Sequence, residues 1–447
     1  MRIRLSDHFT YKKILLATIN PILMMVFISV YSIVDGFFIS NFSSPSAFAG
    51  VNLIFPIIMI VGGVGFMLGA GGSALVSKLL GEKKNEEANK TFTMIILFAV
   101  LLGVILSLIG FIFMEPIAKG MSSFSKETSE EMVEYAIHYG KVLVLGQTFF
   151  ILQNTFQSFF VVNERAGLGF IFTLISGLTN MVLDFLFVGI LKMGVLGAAF
   201  ATIVGYIIGS VGPIIYFLRH KNGLINFSKT KLSFKPLLQS CFNGSSEFVN
   251  NISSSIVSIV FNIQLLKFFG EKGVNAYGII MYLSFIFTAV FIGYSVGISP
   301  IISYHYGAKN HKELHNLLTK SSILVSIASL LMFLISFFGA RMFSSLFANG
   351  DESLLALTTK GMQIYSIAFL LIGLSIFISS FFTALNNGLI SALISFLRTL
   401  VFQISFVFIL PIFLGGYGIF WAVLGCEISS IILAFLFLFI HKKKYNY

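Results

Sequence analysis

Long apolar segments, separated by short polar ones, follow each other along almost the whole chain. Each contains about the 20 residues that an α-helix needs to cross a bilayer. The pattern predicts twelve spans, at 14–40, 50–77, 91–114, 133–161, 168–188, 194–218, 237–267, 274–303, 319–345, 360–385, 389–413 and 416–440. Only 11% of the 447 residues are charged, whereas soluble domains carry about 25%. The predicted fold class is therefore an all-α polytopic membrane protein.

Lys and Arg residues are distributed unevenly between the predicted loops. With both termini in the cytoplasm, the cytoplasmic segments hold 20 of the 29 Lys and Arg residues and the outer loops hold 7. Such an excess is typical of cytoplasmic loops. We therefore expect a multi-pass protein of the plasma (inner) membrane with both termini cytoplasmic. The net charge of +11 then reflects orientation, and no nucleic-acid partner is expected.

The start of the chain, MRIRLSDHFTYKK, is basic and amphipathic. It runs directly into the first span and contains no small-residue cleavage site, so it is not typical of a removed signal peptide. We expect it to lie at the cytoplasmic surface of the membrane.

The two halves of the chain repeat at a nearly constant offset. Two sets of residues recur, the first after 226 positions and the second after 221: Gly71, Ser77, Gly81, Lys83 and Glu87, then Gly167, Gly194, Gly197 and Ala201. A repeat of six spans in one orientation predicts two pseudo-symmetric six-helix lobes around a central cleft. The longest polar connection, 219–236, is predicted to be a cytoplasmic linker between a first lobe, 1–218, and a second lobe, 237–447.

One helical face of the fifth span carries polar and small residues within apolar sequence. Thr173, Gly177, Asn180 and Asp184 follow helical spacing. A charged carboxylate at mid-membrane depth costs about 3 kcal/mol or more, so Asp184 must face protein or water. Either it has a transport role, or it and Asn180 only hold neighbouring helices together. In the sixth span, Thr202 lies beside a stripe of Gly and Ala residues that permits close helix packing.

A second acid, Asp35, lies in the first span. In the repeat, Asp35 corresponds to Asn262 and Asp184 to Ser405, so both buried acids belong to the first lobe. Carboxylate, amide and hydroxyl oxygens suit a hard cation such as Na⁺. Two close carboxylates in a low dielectric can instead share a proton. The residues leave both coupling ions open.

Four motifs together resemble the multidrug and toxic compound extrusion (MATE) family of transporters, over nearly the whole chain. They are VDGFFIS, GAGGSALVSKLLGEKK, NMVLDFLF with GVLGAAFAT, and GISPIISYHYGAKN. The resemblance implies a twelve-helix exporter of cationic or amphipathic compounds, driven by inward flow of Na⁺ or H⁺. It also implies a cation site at Asp35, Asn180, Asp184 and Thr202, and a bend in the first span at Pro21.

A different branch of that family relies on a glutamate in the seventh span and an aspartate in the tenth. This chain has Ser254 near the first of those positions and no acid in the tenth span. The departure favours a coupling site in the first lobe.

Several other polar residues are candidates for a substrate or hydrogen-bond network, or for ordinary packing. They are Tyr31, one turn before Asp35; Gln153, Asn154 and Gln157 in the fourth span; and Glu247 near the start of the seventh. Arg398 and Glu427 are inside spans of the second lobe and could form an ion pair. Three histidines, His305, His311 and His315, are predicted to be solvated residues of the loop after the eighth span.

Three other classes of protein fit the sequence less well. A flippase for lipid-linked sugars or polysaccharide precursors would favour a cationic cavity, whereas the embedded charges here are mainly acidic. An intramembrane enzyme is disfavoured because the chain has neither HExxH nor GxSxG. A channel suits the two-lobe repeat less well than alternating access. We expect a monomer in contact with membrane lipid, with small-molecule substrates and no cofactor besides the coupling ion.

Overall fold

The computed structural model describes residues 3–122, 129–220, 223–231, 233–347 and 351–447. All regular secondary structure in these ranges is helical. The α-helices are α1 (Tyr11–Phe42), α2 (Pro45–Gly81), α3 (Asn85–Ser122), α4 (Glu130–Leu145), α5 (Gln147–Val162), α6 (Ala166–Asp184), α7 (Gly194–Arg219), α8 (Phe234–Asn243), α9 (Ser245–Phe269), α10 (Glu271–Gly307), α11 (His311–Ser345), α12 (Glu352–Ser366), α13 (Phe369–Ala384), α14 (Gly388–Phe396), α15 (Gln403–Leu414) and α16 (Gly418–Tyr445). Two π-helical turns, Phe185–Ile190 and Leu397–Phe402, follow α6 and α14.

These helices form twelve membrane-length segments. In the described parts of the chain, nine helices are long and apolar enough to cross a membrane, and the pair α12–α13, bent by 48°, makes a tenth. One of the nine, 388–445, has 58 residues. It would extend about 87 Å if straight, so it must be two crossings, and it turns at Gly415–Tyr417. Helices α4 and α5, which meet at Gly146, form the remaining segment. The predicted all-α polytopic fold with twelve segments is confirmed.

The repeat is visible in the backbone as well as in the sequence. Gly194, the first residue of α7, and Gly415, just before α16, are 221 residues apart and have φ angles of +59° and +60°. Lys83 and Lys309, 226 residues apart, have φ angles of 63° and 54° after α2 and α10. Unusual left-handed conformations at corresponding positions show that the two lobes use the same turns.

The connection between the lobes packs against the first lobe. Helix α7 runs through Arg219 and α8 begins at Phe234, so both shorten the predicted linker 219–236. Its positions 221, 222 and 232 lie outside the described residues. Among the others, the backbone N–H of Ile225 donates to Asn163 Oδ1 at 3.3 Å, and the ring of Phe227 stacks on Phe92 with centroids 5.1 Å apart.

The two lobes are in close contact near one face of the molecule, which holds both termini and is called here the termini face. The end of the chain packs at this face within the second lobe, where the carbonyl oxygen of Tyr445 lies 3.1 Å from His311 Nδ1 at the start of α11. Deeper in the bundle, a Cβ built on Gly293 of α10 would lie 2.5 Å from Ile22 Cα of α1. A Cβ built on Gly81 at the end of α2 would overlap the carbonyl oxygen of Tyr304. Glycine at these positions lets first-lobe and second-lobe helices touch by their backbones.

Residues 3–10 form a non-helical segment across the termini face, here called the N-terminal segment. The N–H of Leu5 donates to Glu164 Oε1 of the first lobe at 2.8 Å. The N–H of Phe9 donates to Glu313 Oε1 of the second lobe at 2.9 Å, and His8 Nδ1 lies 2.6 Å from Glu313 Oε2. Leu5 and Phe9 are buried. The segment therefore bridges the lobes and buries its apolar side chains in protein, which corrects the predicted placement at the membrane surface.

The histidines predicted in a loop after the eighth span are helical, with His305 in α10 and His311 and His315 in α11. His311 and His315 are exposed, as predicted, whereas the predicted solvation of His305 is wrong. His305 is buried, and the ring of Phe9 packs against it edge-on with centroids 6.2 Å apart. The N-terminal segment thus covers a residue that the local sequence places in solvent.

Candidate functional site

Helices α6 and α7 bring Asn180 and Thr202 together. Asn180 Nδ2 donates to Thr202 Oγ1 at 3.3 Å. One turn along each helix, Ser176 Oγ donates to the carbonyl oxygen of Gly205 at 2.7 Å. A Cβ on Gly205 would lie only 3.1 Å from the carbonyl oxygen of Ser176, so glycine permits this approach. The small-residue stripe predicted in the sixth span therefore positions the polar face of the fifth.

Asp184 is the last residue of α6, where the helix widens into the π-helical turn Phe185–Ile190. π-helical turns are rare and are found frequently at functional sites. Asp184 is fully buried, with 0% of its surface exposed. The carboxyl group of Asp35, on α1, is close enough to the Asp184 carboxyl for the two to interact electrostatically. Asp35 is partly exposed as a residue, but its Oδ1 atom is buried. The structure thus brings the two predicted acids together.

Four buried oxygens in this cluster lack a hydrogen-bond donor. Among the described N–H and O–H groups, none donates to Oδ1 of Asp35, to either carboxylate oxygen of Asp184, or to Oδ1 of Asn180. Buried polar atoms are nearly always satisfied, so this group of acceptors needs partners, which a water, a proton or a cation can supply. Hard oxygen ligands fit Na⁺. Over the described ranges, no cluster of three or more His, Cys, Asp or Glu side chains could hold a metal ion.

Three tyrosines surround the acids. Tyr31, on α1, is within electrostatic range of Asp35, and Tyr139, on α4, is within range of both Asp35 and Asp184. Tyr206, on α7, interacts with the other two tyrosines and with Asp35. Sequence reasoning singled out Tyr31 but missed Tyr139. No local signal separates Tyr139 from Tyr135 one turn earlier, because only the packing of α4 decides which ring reaches the acids.

The three polar residues predicted to form one face of the fourth span contact different neighbours. Gln157 Nε2 donates to Thr173 Oγ1 at 3.3 Å and so joins the polar face of α6. Asn154 Nδ2 donates to its own helix, to the carbonyl oxygen of Phe150, at 3.0 Å. Gln153 packs against Gly209 of α7.

Pro21 lies within α1, which continues without interruption from Tyr11 to Phe42. The carbonyl oxygen of Pro21 would lie 2.7 Å from a Cβ on Gly293, so this part of α1 packs directly against α10 of the second lobe. Pro21 and Asp35 are thus on one continuous helix, with the proline at the lobe interface.

Glu247 belongs to a separate buried polar cluster in the second lobe. Its carboxyl interacts with Asn250 and is within electrostatic range of Arg398. Arg398, in the π-helical turn after α14, donates from Nε to Glu427 Oε1 at 2.9 Å, and its Nη2 lies 2.8 Å from the same oxygen. The ion pair that the sequence left open is therefore present. Glu247 does not contribute to the first-lobe site.

Comparison with known proteins places most of the chain in one family. The MatE family model matches residues 21–186 and 248–409. Multidrug export protein MepA of Staphylococcus saprophyticus is 24% identical over 413 residues, which cover 92% of this chain and 89% of MepA. MepA of Staphylococcus aureus strain MRSA252 is 22% identical over 422 residues, with 94% of this chain and 92% of MepA covered.

Solved structures share the same architecture. The crystal structure of MATE in complex with MaL6 has a TM-score of 0.92 at 20% identity, with 98% of each chain covered. The outward-facing conformation of a multidrug resistance MATE family transporter of the MOP superfamily has a TM-score of 0.90 at 21% identity, with 98% of this chain and 97% of that one covered. At these identities the likeness establishes the fold.

Proposed function

Since this chain belongs to the MATE family of membrane transporters, we propose that it exports cationic or amphipathic small molecules in exchange for Na⁺ or H⁺. The MepA relatives are described as multidrug export proteins, which supports this substrate class. The matches reported above do not support the flippase alternative. Placement in the plasma (inner) membrane with both termini cytoplasmic, and a monomeric state, are parts of the same proposal.

One observation carries the proposed coupling: Asp35 and Asp184 face each other inside the first lobe, and their buried oxygens lack donors among the described residues. Two charged carboxylates that lie next to each other in a protein interior repel each other unless a cation or a proton neutralises them. Na⁺ would be held by carboxylate oxygens of both acids and by the oxygens of Asn180 and Thr202. A proton would instead be shared between the two carboxyl groups, and its titration would belong to the pair.

Helix α1 provides a path from this site to the lobe interface. Asp35 and Pro21 are 14 residues apart on one continuous helix, a distance of about 21 Å. Pro21 packs against Gly293 of α10. Neutralising the acid pair removes the repulsion between α1 and α6, and any resulting shift of α1 changes its packing against the second lobe. A coupling ion can drive this change only by its difference in affinity between the two states.

We infer the state of the structure from the lobe contacts. Backbones of the two lobes touch at the termini face at Gly81, and deeper in the bundle at Gly293. In alternating access, one side of the cleft closes as the other opens. With the termini in the cytoplasm, closure there corresponds to the outward-open state, in which coupling ions enter and substrate leaves.

The test is efflux from proteoliposomes under separately imposed gradients. Purified protein is reconstituted with a fluorescent cation such as ethidium, and efflux is recorded with a Na⁺ gradient alone, a proton gradient alone, or neither. We expect one gradient to accelerate efflux several-fold, and an ionophore for that ion to abolish the acceleration. An efflux rate that is the same with and without each gradient would contradict the proposed coupling. Absence of efflux for a panel of organic cations would contradict the proposed substrate class.

A further inference from the structure

A basic cavity lies between the two lobes at the termini face. Its volume is about 720 Å³. Its walls come from the turn between α2 and α3 in the first lobe and from the turn between α10 and α11 in the second: Lys78, Gly81, Glu82, Lys83, Lys84, Tyr306, Gly307, Ala308, Lys309 and His311. We propose that this cavity binds a phosphate group and that the bound anion holds the lobes together at this face.

The two turns have the same backbone structure. After α2, the N–H of Lys83 donates to the carbonyl of Leu80 at 3.0 Å, and after α10 the N–H of Lys309 donates to the carbonyl of Tyr306 at 3.1 Å. Both lysines have positive φ, 63° and 54°. Glycine normally fills this position at the end of a helix because a side chain is strained there. Lysine at both symmetric positions places two ammonium groups at corresponding points of the two turns, on either side of the cavity.

The charges of the cavity are not balanced by its own carboxylates. Four of the lining residues are lysines and one is a glutamate. Glu82 is shared by two of them, with Oε2 2.8 Å from Lys84 Nζ and Oε1 3.8 Å from Lys78 Nζ. Neither Lys83 nor Lys309 forms an ion pair with a carboxylate in the described ranges. A phosphate group supplies the missing negative charge and accepts hydrogen bonds from ammonium groups.

The cavity depends on closure of the lobes. A Cβ on Gly81 would overlap the carbonyl oxygen of Tyr304, and a Cβ on Gly307 would overlap that of Lys78, so the two turns touch. Moving the lobes apart at this face separates Lys83 from Lys309 and divides the cavity. An anion bound between them therefore has higher affinity for the closed arrangement and shifts the population toward it. Its source is either an anionic phospholipid headgroup or a soluble phosphate compound.

The experiment uses the full chain in nanodiscs of zwitterionic phosphatidylcholine. In one arm, phosphatidylglycerol replaces increasing fractions of the lipid; in the other, inorganic phosphate is added to the buffer. The thermal unfolding midpoint is measured for wild type, for Lys83→Gln/Lys309→Gln, and for Lys12→Gln/Lys231→Gln. The last variant loses the same charge at two exposed positions elsewhere. A rise with phosphatidylglycerol assigns the site to a lipid, and a rise with phosphate assigns it to a soluble compound.

We expect about five-fold weaker apparent affinity for each lysine removed, so roughly 25-fold for the double variant, with the control unchanged. Lys83→Arg/Lys309→Arg keeps the charges and should bind like wild type. If the double glutamine variant does not fold, Lys309→Gln alone should show the five-fold loss. Equal responses of the site and control variants, or no response of wild type in either arm, would overturn the proposal. Efflux in pure phosphatidylcholine tests the proposed transport independently of this site.

Discussion

Arg398 and Glu427 form an ion pair inside the second lobe, with Nε 2.9 Å from Oε1 and 3.2 Å from Oε2. Only 15% of the Arg398 side chain and 4% of the Glu427 side chain are exposed. Because both charges are removed from water, each depends on the other for compensation. The pair lies in the second lobe, away from Asp35 and Asp184, so its role can be tested through stability, separately from the proposed ion coupling.

Replacing Arg398 alone should therefore destabilise the protein strongly. Arg398→Met leaves Glu427 buried without a partner, which costs about 3–5 kcal/mol in comparable pairs, whereas replacing both residues is often neutral. We expect the thermal unfolding midpoint to fall for Arg398→Met and to recover in Arg398→Met/Glu427→Leu. Lys90→Met, which breaks an exposed pair with Glu86, is the control. A midpoint for Arg398→Met equal to that of the control contradicts the prediction.

Asp184→Asn should abolish gradient-driven efflux while leaving the amount of folded protein largely unchanged. The amide keeps the shape of the side chain but cannot hold a proton or neutralise Na⁺. Asp35→Asn should have the same effect, and the double variant should be no worse than either single one, because the pair acts as a unit. Glu86→Gln changes an exposed carboxylate and serves as the control. Wild-type efflux by Asp184→Asn would remove the basis of the proposed coupling.

Tyr139→Phe should weaken the response to the coupling ion without abolishing transport. Its ring is within electrostatic range of both acids, although its hydroxyl donates to neither Asp184 oxygen in this structure. We predict that it donates to a carboxylate when the coupling ion leaves, and a hydrogen bond to a charged group is worth about 1.5–3 kcal/mol. We expect the Na⁺ or H⁺ concentration that gives half-maximal efflux to change by roughly ten-fold or more. Tyr135→Phe, one turn away on α4, should leave it unchanged. Identical curves for the two variants would mean that Tyr139 only packs.

Gly81→Ala should disfavour closure at the termini face. The added methyl group would meet the carbonyl oxygen of Tyr304, and overpacking of this kind costs about 1–3 kcal/mol. The closed state should lose at least about five-fold in population, measured by distances between spin labels on the two lobes. Gly278→Ala is the matched control, since a Cβ there meets no neighbour within 4 Å. If both variants give the wild-type distances, closure does not depend on the Gly81 contact.

Much of the fold could be predicted from the sequence, because hydropathy and spacing act over whole segments. The recurrence of Gly194 at Gly415 in the sequence is matched in the structure by the same backbone turn, with φ angles of +59° and +60°. The polar spacing of Asn180 and Asp184 likewise anticipated that they share a face. Hydropathy and residue spacing depend on the geometry of single helices, which is set by residues that are close together in the sequence.

The remaining features depend on contacts between distant parts of the chain. Tyr139 reaches the acids, and Tyr135 does not, only because of how α4 packs. His305 is buried because Phe9, nearly three hundred residues earlier, lies over it. A single sequence contains no signal for such pairings when the residues concerned are common polar or aromatic types. For the same reason, the sequence of the N-terminal segment does not show that Leu5 and Phe9 are buried in protein and not at the membrane surface.

The N-terminal segment has a consequence for the whole transport cycle. It is fastened to Glu164 on one lobe and to Glu313 on the other through the N–H groups of Leu5 and Phe9, and the chain between them contains a turn at positions 5–7. So short a connection limits how far the lobes can separate at this face. In the proposed alternating-access cycle, opening at this face requires this turn to straighten or one of the two hydrogen bonds to break, so we expect residues 3–10 to rearrange in every cycle.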